Sequence, residues 1–297
     1  MKVLLTGGSG FIGRNLTEYL GGRYSIAAPT SSELNLLDEN CVREYLRTGH
    51  FDVVVHTATT RSNRRIGAAS DLLDRNCRMF FNLARSRSYF GKMLHFGSGA
   101  EYSRVGLPAR VSESYFDTHV PTDPYGFSKY ICTQYAATTD NIFVLRLFGV
   151  FGKYEAWDVR FISNACARVV RGLPIMIRQN VRFDYLYVSE LAELLAWFVE
   201  HEPRQKAYNV CRGEAFTLHE LAELVAAASG CNPDIIVHNP AMAPEYSADN
   251  TRMLNEIGNF RFRTMSDCVG ELYDWYKTHA DIISVEQLTF DEPGVNQ

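Results

Sequence analysis

The sequence predicts an α/β fold, a doubly wound parallel sheet followed by a smaller α/β lobe, and three observations carry that expectation. Short apolar runs alternate with helix-period segments through the first half, a glycine cluster joins the first run to the first helix, and the alternation loosens beyond about Gly152. The runs at 3–5, 26–28, 53–56, 93–96 and 143–147 read as strands buried on both faces, and segments 14–20, 39–46, 72–85 and 125–137 as the helices between them. Farther on come a helix at 160–170, a strand near 182–187, and helices at 189–200, 218–228 and 266–279. The pattern predicts a first domain over 1–152, which also receives segments near 182–210, and an interleaved second lobe over 153–297. The tail 280–297 shows no clear period.

With 297 residues, 46% of them hydrophobic, the chain is long enough to bury a sizeable core. The formal charge of -4, from 30 basic and 34 acidic residues, gives no bulk electrostatic reason to expect a nucleic-acid or anionic-membrane partner. Met1 to Thr6 runs straight into strand-like sequence, and no transmembrane run follows, so a cytoplasmic protein is expected. The seven cysteines are scattered without a CxxC pair, which suits reduced thiols and predicts no metal site.

Thr6-Gly7-Gly8-Ser9-Gly10-Phe11-Ile12-Gly13 follows the first strand directly and opens the first helix. Glycine clusters also mark ordinary turns, but this context is the one a dinucleotide requires. Gly7 permits a tight turn, Gly10 close approach to a pyrophosphate, and Gly13 helix-on-sheet packing, while the helix amino terminus offers N–H groups to phosphate. The first domain is therefore expected to be of Rossmann type.

Tyr125-Gly126-Phe127-Ser128-Lys129 places Tyr125 and Lys129 four apart, on one helix face. Free tyrosine titrates near 10, and lowering it by roughly three units takes about 4 kcal/mol of preferential stabilisation of the phenolate. An adjacent ammonium is a source of it. A YxxxK alone means little; this one opens a helix between two strands, and an earlier strand ends in Phe96-Gly97-Ser98. Ser98, Tyr125 and Lys129 are thus the candidate catalytic set, with Ser98 bonding a substrate oxygen and Tyr125 exchanging its proton during hydride transfer.

The spacing Gly7-x-x-Gly10-x-x-Gly13, ending in Gly-Phe-Ile-Gly, together with Ser98, Tyr125 and Lys129, resembles the extended short-chain dehydrogenase/reductase family, the NAD(P)-dependent sugar-nucleotide epimerases and dehydratases. With Glu33-Leu34-Asn35-Leu36-Leu37-Asp38, the chain looks most like the branch holding GDP-L-fucose synthase and other 4-keto-6-deoxy sugar-nucleotide reductases. The resemblance implies cofactor contacts at Gly7, Gly10, Phe11, Ile12, Gly13, Asn35, Leu36, Thr57, Ala58, Thr59, Asn76 and Lys129. It implies substrate contacts at Ser98, Tyr125, Arg160, Arg182 and Arg252, the arginines meeting the diphosphate of a nucleoside-diphosphate sugar. It also implies a homodimer formed through the helices at 72–85 and 125–137.

Departures from the family narrow the reaction. Family dehydratases follow the catalytic Ser/Thr with Asp-Glu, whereas Ser98 is followed by Gly99-Ala100. The epimerising cysteine of GDP-L-fucose synthase is replaced by Ala100, and its partner histidine falls near Arg160. Carbonyl–carbinol chemistry at one carbon remains, as reduction of a 4-keto sugar or as 4-epimerisation. Where relatives read Arg-Pro-x-Asn-Val-Tyr-Gly, this chain carries Gly149 for the asparagine. The second strand ends without a carboxylate, Glu33 coming a few residues late. Thr30 and Ser31 hydroxyls, with Arg14 as a cation, suit a 2′-phosphate, so NADP is preferred to NAD.

Other positions have plainer readings. Arg61, Arg64 and Arg65 form a basic run that solvent explains as well as a ligand does, and His56 is expected to be a packed histidine. Glu101 stands where relatives tend to carry an apolar residue; contact with a substrate amine or hydroxyl is one use for it.

Overall fold

The computed structural model describes residues 1–60 and 71–289. Its first half runs β1 (Lys2–Thr6), α1 (Phe11–Leu20), β2 (Ser25–Ala27), α2 (Glu39–Gly49), β3 (Phe51–His56), α3 (Leu72–Arg85), β4 (Phe90–Ser98), α4 (Pro124–Ala136) and β5 (Ile142–Leu147). Local chemistry sets several starts. The Asp38 carboxylate accepts from Asn40 N and Cys41 N at the head of α2, and Asp123 accepts from Gly126 N at the head of α4, with Pro124 in the first turn.

The second half runs β6 (Gly149–Phe151), α5 (Phe161–Val170), β7 (Ile175–Tyr187), α6 (Val188–Glu200), β8 (Ala207–Val210), β9 (Ala215–Thr217), α7 (Leu218–Ser229), β10 (Ile235–Tyr246), α8 (Thr251–Ile257), α9 (Met265–Thr278) and α10 (Val285–Thr289). Six parallel strands form the main sheet in the order β2-β1-β3-β4-β5-β8. β7 lies between parallel β10 and β6 in a second sheet, with β9 antiparallel beside it. Of the stretch 182–210, α6 and β8 join the main sheet, whereas 182–187 stay in the second.

Strand alternation builds two cores on the main sheet. Val3, Leu5, Val53, Val55, Leu94 and Phe96 face α1 and α6, while Leu4, Val54, Met93, Ile142 and Val144 face α2, α3 and α4. A third core, centred on Ile162, Ile175, Leu221 and Leu272, joins α5, α7, α9 and β7. Among the described residues no helix is long and apolar enough to cross a membrane.

Besides the short β6, β8, β9, α8 and α10, two longer segments escape the sequence pattern. β10 has no clean period: it carries Pro240 and Pro244, is mostly exposed, and shifts register against β7 between Asn239 and Ala243 and again before Tyr246. β7 is thirteen residues long because pairing with β10, and not periodicity, sets its length.

The buried Asp184 on β7 shapes the turn after β8, accepting from Arg212 N at 2.9 Å and Gly213 N at 2.8 Å. Burial lifts its carboxyl from an ordinary 3.8 to about 6, the two N–H donors opposing the rise. A carboxyl raised in the native state favours the fold most below pH 4, and that favour is lost as pH rises through 6. Urea unfolding of the wild type against Asp184→Asn is therefore expected to show the stability difference falling by about 2–3 kcal/mol between pH 4 and 7, at 1.36 kcal/mol per unit.

Candidate active site

The carboxy ends of β1, β3, β4 and β5 open on a cleft of about 590 Å³ lined in part by Phe11, Ile12, Thr57, Thr59, Ser98, Tyr125, Lys129 and Arg160. That is the position and size expected of a ligand site in an open parallel sheet. The structure therefore gathers the three catalytic candidates, four of the cofactor residues besides Lys129, and one of the three arginines.

The glycine turn fits a pyrophosphate. Gly7 has φ +76°, and a Cβ there would stand 2.8 Å from Ala58 N. A Cβ on Gly13 would stand 2.2 Å from Gly7 O and 2.7 Å from Gly8 Cα, so the helix can sit this close only without a side chain. Gly10 precedes α1 with no side-chain cap, which leaves the N–H groups of the first turn for a ligand. The Thr57 hydroxyl donates to Thr6 O and fixes the turn after β3 beneath the glycines.

Asn76 acts on that wall from behind. Its Oδ1 accepts from Thr60 N at 2.7 Å, and its Nδ2 donates to Thr60 O and reaches Ser128 Oγ at 3.4 Å. Both ends of the amide are thus engaged in tying the loop after β3 to α4. Leu36 is likewise a core residue, and the Asn35 carboxamide accepts from Leu37 N in its own turn.

Ser98 ends β4 and begins a 3-10 turn over Gly99–Tyr102, its Oγ accepting from Ala100 N at 3.2 Å. Tyr125 stands on the first turn of α4. One turn on, the buried Lys129 ammonium donates to Phe96 O at 2.7 Å. Behind it, His56 and His95 stack at 5.1 Å, and His56 Nδ1 meets Thr6 Oγ1 at 2.8 Å. Burial, then the Lys129 charge, pushes His56 down to about 3 and His95 well below its usual range, so both are neutral packing residues.

Glu101 does not reach the cleft. It is fully buried and accepts from Ser98 N at 2.8 Å, Thr133 Oγ1 at 2.8 Å and Arg146 Nε at 2.6 Å. The substrate contact considered for it is therefore replaced by a structural place. Arg182 and Arg252 are not among the residues lining the cleft. Arg182 follows strand parity away from the cleft-facing Phe183 and Tyr185 and pairs with Glu245 at 3.5 Å. Arg252 donates to Ala207 O and lies 3.6 Å from Glu113. Arg14 stacks on Tyr154 at 3.8 Å, and Arg61, Arg64 and Arg65 lie outside the described residues.

One side of the cleft is an aromatic wall that the sequence did not reveal. Phe148 and Tyr246 lie 5.1 Å apart, Tyr246 and Phe183 4.8 Å, and Phe183 and Tyr185 4.8 Å, all four lining the cleft. The wall explains Gly149: a Cβ there would stand 2.9 Å from both Phe183 and Tyr185 and 2.6 Å from Asp184 O. Arg104 stands over the Tyr246 ring at 4.9 Å. The Tyr246 hydroxyl comes within 2.4 Å of where a Gly99 Cβ would be, next to Ser98, and its phenol is pushed up by burial. Only the aromatic end of the Glu245-Tyr246 strand signals it in sequence, and that strand lacks a period.

Residues 3–211 match the model of the "NAD dependent epimerase/dehydratase family". GDP-6-deoxy-D-mannose reductase of Pseudomonas aeruginosa is 26% identical over 257 residues, covering 81% of this chain and 84% of that protein. The GDP-L-fucose synthetase of Naegleria fowleri bound to NADP superposes with a TM-score of 0.83 at 12% identity, covering 94% of this chain and 93% of the other. The UDP-glucose 4-epimerase of Thermus thermophilus, in complex with NAD, superposes with a TM-score of 0.74 at 23% identity, covering 93% and 99%. The family model covers more than two thirds of the chain, over the glycine turn and the parallel sheet, and the chain belongs to the NAD-dependent epimerase/dehydratase family.

Proposed function

We propose that this protein reduces the 4-keto group of a nucleoside-diphosphate 4-keto-6-deoxy sugar, with NADP as cofactor. The observation that carries the reading is the company Ser98, Tyr125 and Lys129 keep in the cleft. Ser98 is followed by Gly99 and Ala100, and the nearest following acid, Glu101, is sealed off on Arg146. The acids that do line the cleft are engaged, Asp123 on Gly126 N and Glu155 on Ser163 Oγ. Proton abstraction from ring carbon, which dehydration and 3,5-epimerisation need, has no evident base among the described residues of the cleft.

Gly7, Gly10 and the first turn of α1 would hold the pyrophosphate, and Phe11, Ile12, Thr57 and Thr59 the rest of the dinucleotide. Reduced nicotinamide supplies the hydride. Ser98 donates a hydrogen bond to the sugar carbonyl oxygen, Tyr125 gives that oxygen its phenolic proton, and the Lys129 ammonium stabilises the phenolate left behind. Arg160, exposed at the head of α5, would meet the diphosphate. The dimer of this reading uses α3 and α4, which pack side by side on one face of the main sheet.

One observation favours a second reading, 4-epimerisation with retained NAD. The Glu33 carboxylate folds back onto Thr30, accepting from its N at 2.7 Å and its hydroxyl at 2.8 Å, which brings negative charge to the loop after β2. These bonds hold Glu33 ionised, below the usual carboxylate range. Glu33→Gln is expected to raise the NADPH over NADH preference in kcat/KM by about threefold to tenfold, as removal of a solvent-exposed charge facing a 2′-phosphate should.

Absorbance loss of NADPH and NADH, with 4-keto-6-deoxy sugar nucleotides bearing GDP, dTDP or CDP, tests the main reading. Stoichiometric loss is expected with one of them, falling by at least about 100-fold in Tyr125→Phe, the range of a general acid. No loss, together with NAD released from the denatured protein, would establish the epimerase instead.

A further inference from the structure

We propose that Glu101 is a positioning residue that fixes Ser98 against the helix carrying Tyr125 and Lys129. This inference rests on the catalytic reading above and adds a residue to it. One Glu101 oxygen, Oε1, holds the backbone N–H of Ser98; the other, Oε2, takes the Thr133 hydroxyl on α4 and the Arg146 Nε on β5. Thr133 lies one helical turn beyond Lys129, itself one turn beyond Tyr125. A single carboxylate therefore ties the strand end bearing Ser98 to the helix bearing the other two catalytic groups, and ties both to the neighbouring strand.

The approach of these elements is close. A Cβ on Gly126, the residue after Tyr125, would stand 2.6 Å from Ala100 O, so the turn after Ser98 presses directly on the first turn of α4. The Glu101 carboxylate sits behind that contact. Arg146 is held in turn: its guanidinium donates to the Tyr102 hydroxyl at 3.2 Å and faces the Phe116 ring at 4.3 Å, and Tyr102 donates to Asn209 at 2.6 Å. A charged group with no exposed surface is costly unless it is paired and hydrogen-bonded. Here the bonds go to the elements that bear the catalytic set.

Hydride and proton reach one carbonyl group in a single step, so the Ser98 to Tyr125 spacing has to be right to within a fraction of an ångström. A displacement near 1 Å costs on the order of 100-fold in rate. Glutamine at 101 offers one acceptor in place of two, and valine at 133 removes one donor without changing side-chain shape.

The test measures turnover of the 4-keto-6-deoxy sugar nucleotide that the wild type reduces, per bound cofactor, and the isotope effect with 4-deuterated reduced nicotinamide. Glu101→Gln is expected to lower kcat about 10–100-fold and Thr133→Val about 3–10-fold, with KM for both substrates within about twofold and a larger isotope effect. Thr133→Ser, which keeps the hydroxyl, recovers most of the rate. A merely structural role lowers the folded fraction and leaves turnover per bound cofactor and the isotope effect at wild-type values; that result in both variants would overturn the proposal. Turnover that survives Ser98→Ala would instead overturn the catalytic reading on which it stands.

Discussion

The buried ion pair between Glu101 and Arg146 is the constraint around which the cleft is arranged. Neither side chain is more than 2% exposed, and their separation is 2.6 Å. Losing one partner of such a pair costs about 3–5 kcal/mol, because the other charge is left unsolvated. The chain therefore has to deliver β4, β5 and α4 to one place at once. Lys129 on Phe96 O and Asn76 on Ser128 then complete the wall with one bond each. The arrangement is polar at its centre and apolar around it, with the sheet cores meeting the carboxylate network at its edge.

Around this centre the cleft has two different sides. The side at the glycine turn is mostly backbone: glycines, the amino terminus of α1, and a threonine turn pinned to β1. Backbone recognises what dinucleotides share and discriminates little among them. The other side is made of side chains from distant parts of the chain, an aromatic wall together with Arg104 and Arg160. Side chains vary where backbone does not, and so the family match at about a quarter identity indicates the class of chemistry more firmly than any substrate.

What could be read in the sequence was local. The glycine turn, the Tyr125 to Lys129 spacing and the strand ending in Ser98 are each short contiguous segments, and each folds as its spacing implies. What the sequence leaves open shares a cause as well. Arg182 alternates on β7 with Phe183 and Tyr185, which line the cleft, and the pairing of that long strand is set by β10. The structural place of Glu101 is hidden in the sequence because its counter-charge is 45 positions away. Tyr246 was invisible because β10 is a strand only by virtue of its partner: with two prolines and an exposed outer edge, it has no pattern of its own.

The late position of β8 and β10 bears on how the protein is made. The main sheet gains its last strand only with residues 207–210, and Tyr246 reaches Ser98 only after β10 is complete. While the ribosome is still adding those residues, β5 presents an open edge, rich in Ile142, Phe143, Val144 and Leu145, with no strand to cover it. Such an edge invites pairing with other chains. Sixty positions separate Leu147, which ends β5, from Ala207, which begins β8, so that edge is the one whose cover comes from farthest along the chain.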